Sequence, residues 1–371
     1  MAKPNDLRAL IDLSKTTQIL LTHFQSSLAP STAATPPTAV VPAPPNPLEA
    51  IKACTALLRS HTTTLSLLLL TPPLTPSAIM TKIGDVSSGP LTGLVGAAVA
   101  EGGLGNLMQS EVKAQVRRLL GSWGEVVALV LRLAERRQTA QTNGNGAAKG
   151  KTKDQGPSEA ERADVLAATG VVWEACDALL KLCDGGIAGL VVRKAEEWRS
   201  VLLDAVEELK EWGEDVDEED DEAEGSDGGF EDEDEIFGAA NKLGKEDKEL
   251  KEVLDKSVKK LKMVGVLYQA LIKRRLRPFP ASTTTTANGE GSSNPAMTLD
   301  ELMKLLRSIP EQVDDLASAF YDLDEDEARA TLDKCCGEAQ SAAGLVKLSW
   351  AGKDDEFTAW SAKWVDALNA A

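Results

Sequence analysis

Aromatic residues, histidine and long apolar runs are all scarce in this chain of 371 residues. Phe, Trp and Tyr together make up 4% of the sequence, whereas leucine and alanine are frequent, and this composition favours packed helices over sheets. The apolar runs at 65–70 and 91–100 are much shorter than a bilayer-spanning helix, so we expect no membrane-embedded segment. The first residues are charged and amphipathic, so we also expect no signal peptide.

The residues that usually carry metal or enzyme chemistry are few and unfavourably spaced. His23 and His61 both fall in helical patterns, and the five cysteines are irregularly spaced, which indicates a reducing compartment rather than a disulfide framework. Residues 146–152 resemble a phosphate-binding loop without its first glycine, and the acids at 322–326 resemble a calcium loop without its turn glycine. We therefore predict no enzyme activity, no cofactor and no metal site.

The net charge of −18 is concentrated in one segment. Residues 211–235 contain sixteen Asp or Glu and no Lys or Arg, which leaves 42 acids and 40 bases in the rest of the chain. Such a run is typical of a self-repelling, solvated linker, and the alternative is a binding site for basic tails or divalent ions. Ser226 lies within it and is a candidate for phosphorylation. Because no uniformly basic surface is indicated, we predict no direct nucleic-acid binding.

Apolar residues recur at three- and four-residue steps through most of the chain, and no alternating strand pattern is present. Segments rich in Pro, Ala and Thr (29–47) and in Gly, Asn and Lys (139–157) are predicted to be flexible loops. Ser158 and Glu161 form a capping box that begins a helix. We predict an all-α fold of two antiparallel helical bundles, with an N-terminal bundle at 1–210, an acidic linker at 211–235 and a C-terminal bundle at 236–371.

The C-terminal part carries the clearest helical stripe, at about 246–277, which ends at Pro278. Beyond it, Thr298 and Glu301 are interpreted as a second capping box. The helices predicted to follow are at about 298–308, 310–321, 325–351 and 354–369.

Two further groups of residues are candidates for recognition. A dense basic cluster is either a nuclear-import signal or a set of cations that stabilises the C-terminal end of a helix. A pair of tryptophans at i and i+4 either forms a docking face for a partner or packs on the preceding helix. The cluster is Lys273, Arg274, Arg275 and Arg277, and the pair is Trp360 and Trp364.

Four blocks resemble the cyclin-D-binding protein family, also called the Grap-and-cyclin-D-interacting proteins. They are TGVVWEACD at 169–177, EEWRSVLLDAVEELKEW at 196–212 with the acidic run after it, IPEQVDDLASAFYD at 309–322 and DEFTAWSAKWVDAL at 355–368. The first block is the most specific, and its residues are Thr169, Gly170, Val171, Trp173, Glu174, Cys176 and Asp177. The first 150 residues resemble the family only in their helical character.

The resemblance implies a helical protein of the cytoplasm and nucleus that binds cyclin D and helix-loop-helix transcription factors. Its expected effect is to restrain cell-cycle progression or transcription, with no catalytic residues and with halves similar to the bundles of talin and vinculin. Members of the family have been described as helix-loop-helix proteins without a DNA-contacting basic region. Here the basic cluster lies at the wrong end of the 246–277 helix for such a region. A cytoskeletal scaffold of the talin or vinculin type is the alternative function.

Overall fold

The computed structural model describes residues 4–30, 44–100, 104–143, 157–214, 243, 247–280 and 294–371. Within these ranges every regular element is a helix and no strand is present, as the composition predicts. The chain divides into two compact units, Met1–Gly186 and Ile187–Ala371. The first unit therefore ends inside a helical segment, and residues 187–210, which the sequence analysis placed in the N-terminal bundle, pack with the second unit.

Helices of very different length build the first unit. Proline occupies the first helical position of α2 and α3. A backbone N–H at this position has no acceptor within the helix, so its absence in proline removes no hydrogen bond. Asn46 caps α2 by accepting a hydrogen bond from the Glu49 N–H. The elements are α1 (Pro4–Ser27), α2 (Pro47–Leu70), α3 (Pro76–Val86), a π turn (Ser87–Leu91), α4 (Thr92–Val99), α5 (Gly105–Asn143) and the first arm of α6 (Glu159–Glu214).

The long helices of the first unit pack side by side in antiparallel pairs. Lys15 on α1 pairs with Glu135 on α5, and Leu21 contacts α5 next to Gly124. The first arm of α6 packs on α2 and on α5, and its ion pairs to both helices follow an antiparallel register. Among the described residues Trp123 is the largest fully buried side chain, and every helix of the unit contributes buried apolar side chains.

Glycine divides α6 into arms at residues 159–185 and 187–214. Gly186 has φ 55° and ψ −160°, a backbone conformation that only glycine adopts readily. The helix begins as the sequence predicts, because the Ser158 N–H donates to Glu161 and the Glu161 N–H donates to the Ser158 hydroxyl, at 2.8 and 3.2 Å.

The second unit packs the 187–214 arm of α6 against the helices that follow. Tyr268 is buried and donates a hydrogen bond to the Leu306 carbonyl, while Trp212 packs against Phe320 and Tyr321. Burial of these apolar faces is the main stabilising term. The further elements are α7 (Lys248–Leu271), a π turn (Ile272–Leu276), α8 (Pro295–Tyr321), α9 (Glu325–Leu345) and α10 (Glu356–Ala370).

Three sequence-based boundaries in this unit differ from the structure. The helices predicted at 298–308 and 310–321 are one helix, α8, with Pro310 buried inside it. Its cap is Asn294, which accepts from the Ala296 N–H, so the capping box predicted at Thr298 is wrong. Helix α9 ends at Leu345, not at 351. The acidic linker from 215 onward, with Ser226, and most of the two predicted loops lie outside the described residues.

Candidate protein-binding surfaces

The TGVVWEACD block lies on the first arm of α6 and divides between two faces. Thr169 and Cys176 point into the core, where the Thr169 hydroxyl donates to the Val165 carbonyl at 2.6 Å. The Cys176 sulfur lies 4.0 Å from the Thr55 carbonyl oxygen on α2. Burial raises the pKa of the Cys176 thiol to about 11, so this thiol is neutral and poorly nucleophilic at physiological pH. The inward half of the block therefore holds α6 against α2.

The outward half of the block carries a tryptophan that is 37% exposed, Trp173. The Arg59 guanidinium of α2 lies over its ring, 5.8 Å from the centroid, and also donates to the Asp177 carboxylate. Glu174, on the same outer surface, accepts from Arg118 of α5 at 2.8 Å. Arg59 was not among the residues predicted from the sequence, although cation–π partners of an exposed tryptophan are commonly arginines.

Two ion pairs define the register of α2 against α6. Lys52 pairs with Asp184 and Arg59 pairs with Asp177. The two helices are therefore antiparallel, and a position seven residues later on α2 lies level with a position seven residues earlier on α6. The same register brings Ser66 level with Gly170. The space where a Gly170 side chain would lie is open, with no atom within 4 Å.

Large apolar side chains border this open space. Leu166 is 59% exposed, Val171 is 53% exposed, and the register places Leu70 of α2 level with Leu166. Isolated exposed apolar side chains are ordinary, whereas several in one short segment beside an exposed glycine form a candidate interaction surface. Leu166, Gly170 and Trp173 lie on one face of α6, and the surface that they form is called the Trp173 surface below.

The basic cluster at 273–277 has one member that is not at the surface. Arg275 is 1% exposed, and all five of its N–H donors have acceptors. Two bonds reach the Asp355 carboxylate at 2.7 and 2.8 Å, and three reach the carbonyls of Val346, Lys347 and Arg274 at 2.7, 3.0 and 2.9 Å. Arg275 is thus a structural side chain that joins the end of α7 to the 346–355 loop.

Asp355 completes this arrangement at the start of α10. It caps the helix by accepting from the Phe357 and Thr358 N–H groups, and the Phe357 ring lies 4.4 Å from the Arg275 guanidinium. The hydrogen bonds from Arg275 are the main reason that the pKa of Asp355 falls to about 2. This pair was not predicted from the sequence, because its members lie 80 residues apart in the chain.

The other three basic residues are at the surface. Arg274 pairs with Glu356 at 2.5 Å and Arg277 with Glu196 at 3.3 Å, while Lys273 is exposed.

The predicted tryptophan pair is divided between the core and the surface. Trp364 is buried and donates to the Met263 carbonyl at 3.0 Å, and Trp360 is half-buried and stacks on it at 6.3 Å. Packing on another helix thus accounts for Trp364, and Trp360 alone presents part of its ring to solvent.

The described part of the chain contains no cluster of three or more His, Cys, Asp or Glu that could hold a metal ion. The acids resembling a calcium loop cap a helix instead, because Asp324 accepts from the Glu327 N–H at 3.0 Å. None of the described helices combines the length and hydropathy needed to span a bilayer. The segment resembling a phosphate loop, 146–152, lies outside the described residues.

Comparison with known proteins agrees with the motif residues. Residues 50–215 match the family model described as "Grap2 and cyclin-D-interacting, N-terminal", and residues 216–341 match the corresponding C-terminal model. An uncharacterized protein of Schizosaccharomyces pombe is 24% identical over 324 residues, which cover 86% of this chain and 84% of that protein. The two family models together span most of the chain, from the start of α2 into α9. The chain therefore belongs to the Grap2 and cyclin-D-interacting protein family.

Proposed function

We propose that this protein is a non-enzymatic adaptor that binds a cyclin or a helix-loop-helix transcription factor and thereby modulates cell-cycle progression or transcription. The observation that carries the proposal is the Trp173 surface, in which Gly170 and Trp173 belong to the most specific family block and Leu166 lies one helical turn before it. The family name supports cyclin D as the partner, and the all-helical fold supports protein binding as the activity.

The Trp173 surface fits an amphipathic helix of a partner. Such a helix presents apolar side chains at i, i+3, i+4 and i+7, and a shallow groove between two helices receives them. One anchor would lie over Gly170, where the absence of a side chain leaves room, with Leu166 and Trp173 on either side. The Arg59–Asp177 pair, at the polar end of the groove, would fix the register of the partner helix.

The test is the affinity of full-length protein for purified cyclin D and for helix-loop-helix factors, before and after Trp173→Ala. A central tryptophan of an interface contributes about 2 kcal/mol or more, so we expect the Kd to rise about thirtyfold or more. Gly170→Leu should weaken binding as well, since it fills the open space without removing an apolar contact.

Leu57→Ala is the matched control, because Leu57 is a 53% exposed apolar residue of α2 outside the Trp173 surface. Its Kd should stay within about twofold of the unchanged protein. Equal weakening by Leu57→Ala would exclude the Trp173 surface as the binding site. Co-sedimentation of the protein with actin filaments, without binding to either regulatory partner, would instead favour the scaffold of the talin or vinculin type.

A regulator of this type acts in both cytoplasm and nucleus, and we propose that Lys273, Arg274 and Arg277 direct its import. These three side chains are at the surface, whereas Arg275 is occupied by Asp355. Import receptors need accessible cations, so the buried arginine contributes to folding rather than to recognition.

A further inference from the structure

The outer face of α7 is basic over a long stretch of a chain that is acidic overall. From Lys256 to Arg277, eight of the 22 residues are Lys or Arg and none is Asp or Glu, whereas the whole chain has a net charge of −18. The sequence analysis singled out only the last four of these basic residues. The import hypothesis and the Arg275–Asp355 pair account for those four and leave the lysines unexplained.

Two of these unexplained lysines, and Lys273 of the import cluster, have no partner among the residues that the structure describes. Lys256, Lys259 and Lys273 are exposed, and none makes a hydrogen bond or ion pair to any described residue. Lys210, by contrast, pairs with Glu207 at 3.0 Å. Glu252 and Asp255 lie one turn before Lys256 and Lys259 on the same helix, so the N-terminal end of this group has acids of its own. Beyond them the positive charges of α7 repel one another, and an anionic ligand would relieve that repulsion.

The helical register places these side chains in one line. Lys256, Lys259, Val266, Lys273 and Arg277 follow each other at steps of three, four and seven residues, which stay on one face of a helix. The line is about 30 Å long at a rise of 1.5 Å per residue. Val266, at its centre, is 49% exposed, so the basic line contains an apolar contact point. These five residues are called the α7 stripe.

Acidic residues of neighbouring helices limit the width of the α7 stripe. On one side the 187–214 arm of α6 packs against α7, where Arg199 donates to the Gly265 carbonyl at 3.0 Å, and this arm places Glu196 beside Arg277. On the other side α10 packs on α7 through Trp364, and Glu356 pairs with Arg274. The stripe is therefore about one helix diameter wide, roughly 10 Å.

This width selects among anionic ligands. A nucleic-acid duplex or an anionic membrane presents negative charge over a surface broader than the stripe, and the acidic flanks would repel it. A single acidic peptide segment is narrow enough to follow the lysines without meeting the flanks. An apolar side chain of that segment would contact Val266, and this contact would set its register.

We propose that the α7 stripe is a docking site for an acidic segment of a partner protein. The site is separate from the Trp173 surface, which belongs to the other compact unit, and it does not depend on the proposed cyclin or transcription-factor partner. Carboxylates of the segment would pair with Lys256, Lys259 and Lys273, and one apolar residue would pack on Val266.

The experiment measures fluorescence anisotropy of a labelled peptide made of four Glu-Glu-Leu-Glu repeats, titrated with the full-length protein. We expect saturable binding of the peptide at about 50 mM NaCl. The affinity should be at least tenfold weaker at about 300 mM NaCl, because exposed charges are then strongly screened. The triple variant Lys256→Gln/Lys259→Gln/Lys273→Gln should bind about tenfold more weakly. The control Lys304→Gln/Lys334→Gln/Lys363→Gln removes three exposed lysines of α8, α9 and α10 and should stay within about twofold.

Four results would overturn the proposal. The first two are absence of binding at low salt and equal weakening by both triple variants. The third is an unchanged Kd for a control peptide in which Gln replaces every Glu. The fourth is equally tight, stripe-dependent binding of a duplex DNA or of phosphatidylserine vesicles. The acidic run of the chain itself is the remaining alternative occupant. Binding that appears only after Asp217, Glu218, Glu219, Asp220 and Asp221 are changed to amides would assign the stripe to that run, against a partner.

Discussion

Replacing Asp355 by asparagine keeps the size of the side chain and removes its charge, and we expect the second unit to lose much of its stability. In the protein, both carboxylate oxygens of Asp355 accept from Arg275, at 2.7 and 2.8 Å. Asparagine offers one oxygen and turns an N–H₂ group towards the guanidinium. One donor of a fully buried cation is then unpaired, which is costly because the arginine stays charged.

The structure sets the size of this effect. Breaking a buried ion pair by removing one member costs about 3–5 kcal/mol, and the Asp355 side chain is 36% exposed, so water can replace part of the lost interaction. We therefore expect a loss of about 2–3 kcal/mol in the free energy of unfolding. For a unit of this size the loss corresponds to a fall in Tm of about 5–10 °C.

The assay is thermal and urea unfolding of the full-length protein, followed by tryptophan fluorescence. Glu356→Gln is the matched control, since Glu356 pairs with the adjacent Arg274 and both side chains are exposed. Such a surface pair contributes less than about 1 kcal/mol, so this control should change Tm little. If Asp355→Asn and Glu356→Gln had the same small effect, Arg275 would not depend on its partner and the reasoning would be refuted.

The same pair predicts a pH dependence. The pKa of Asp355 falls from 3.8 to about 2 in the folded protein, mainly through the hydrogen bonds from Arg275. Because folding lowers the pKa of Asp355, its charged carboxylate stabilises the folded protein. This stabilisation is fully present above the pKa of the unfolded chain and is lost as pH falls from about 4 to about 2. After allowance for screening at this partly exposed group, we expect the loss to be about 1–2 kcal/mol. Asp355→Asn should lack this component, and an unchanged acid profile in the variant would contradict the assignment.

Two predictions remain. Gly186→Ala should destabilise the protein by about 1–3 kcal/mol in urea unfolding, because Gly186 has φ 55°, whereas Gly185→Ala, at a neighbouring position with open space, should be tolerated. In cells, Lys273→Gln/Arg274→Gln/Arg277→Gln should reduce the nuclear fraction of a fluorescently tagged full-length protein. An unchanged distribution would reject the import proposal.

Local signals in the sequence predicted much of the fold. The three- and four-residue recurrence of apolar residues gave the helices, and the Ser158–Glu161 box gave the start of α6, because both depend on residues close together in the chain. The break predicted near Pro310 is absent, since burial of Pro310 and its neighbours in the core stabilises the continuous helix beyond the cost of the missing hydrogen bond.

The candidate sites were predicted less completely, for a related reason. The family block identified Trp173, but the role of Arg59 depends on a register between α2 and α6 that no local pattern shows. Likewise, Arg275 is one of four similar cations in sequence, and only the fold reveals that it meets Asp355. Long-range pairs of this kind follow from helix packing, which the apolar pattern constrains only loosely.

The position of Gly186 has a practical consequence for dividing the protein into fragments. A fragment ending at 210, just before the acidic run, would carry an unsupported helix, while the complementary fragment would lack one wall of its core. Leu254 packs so closely on this helix that a side chain added at Gly213 would come within 2.4 Å of it. Fragments intended to fold independently should be divided between 186 and 187, inside the longest of the described helical segments and away from the conspicuous acidic run.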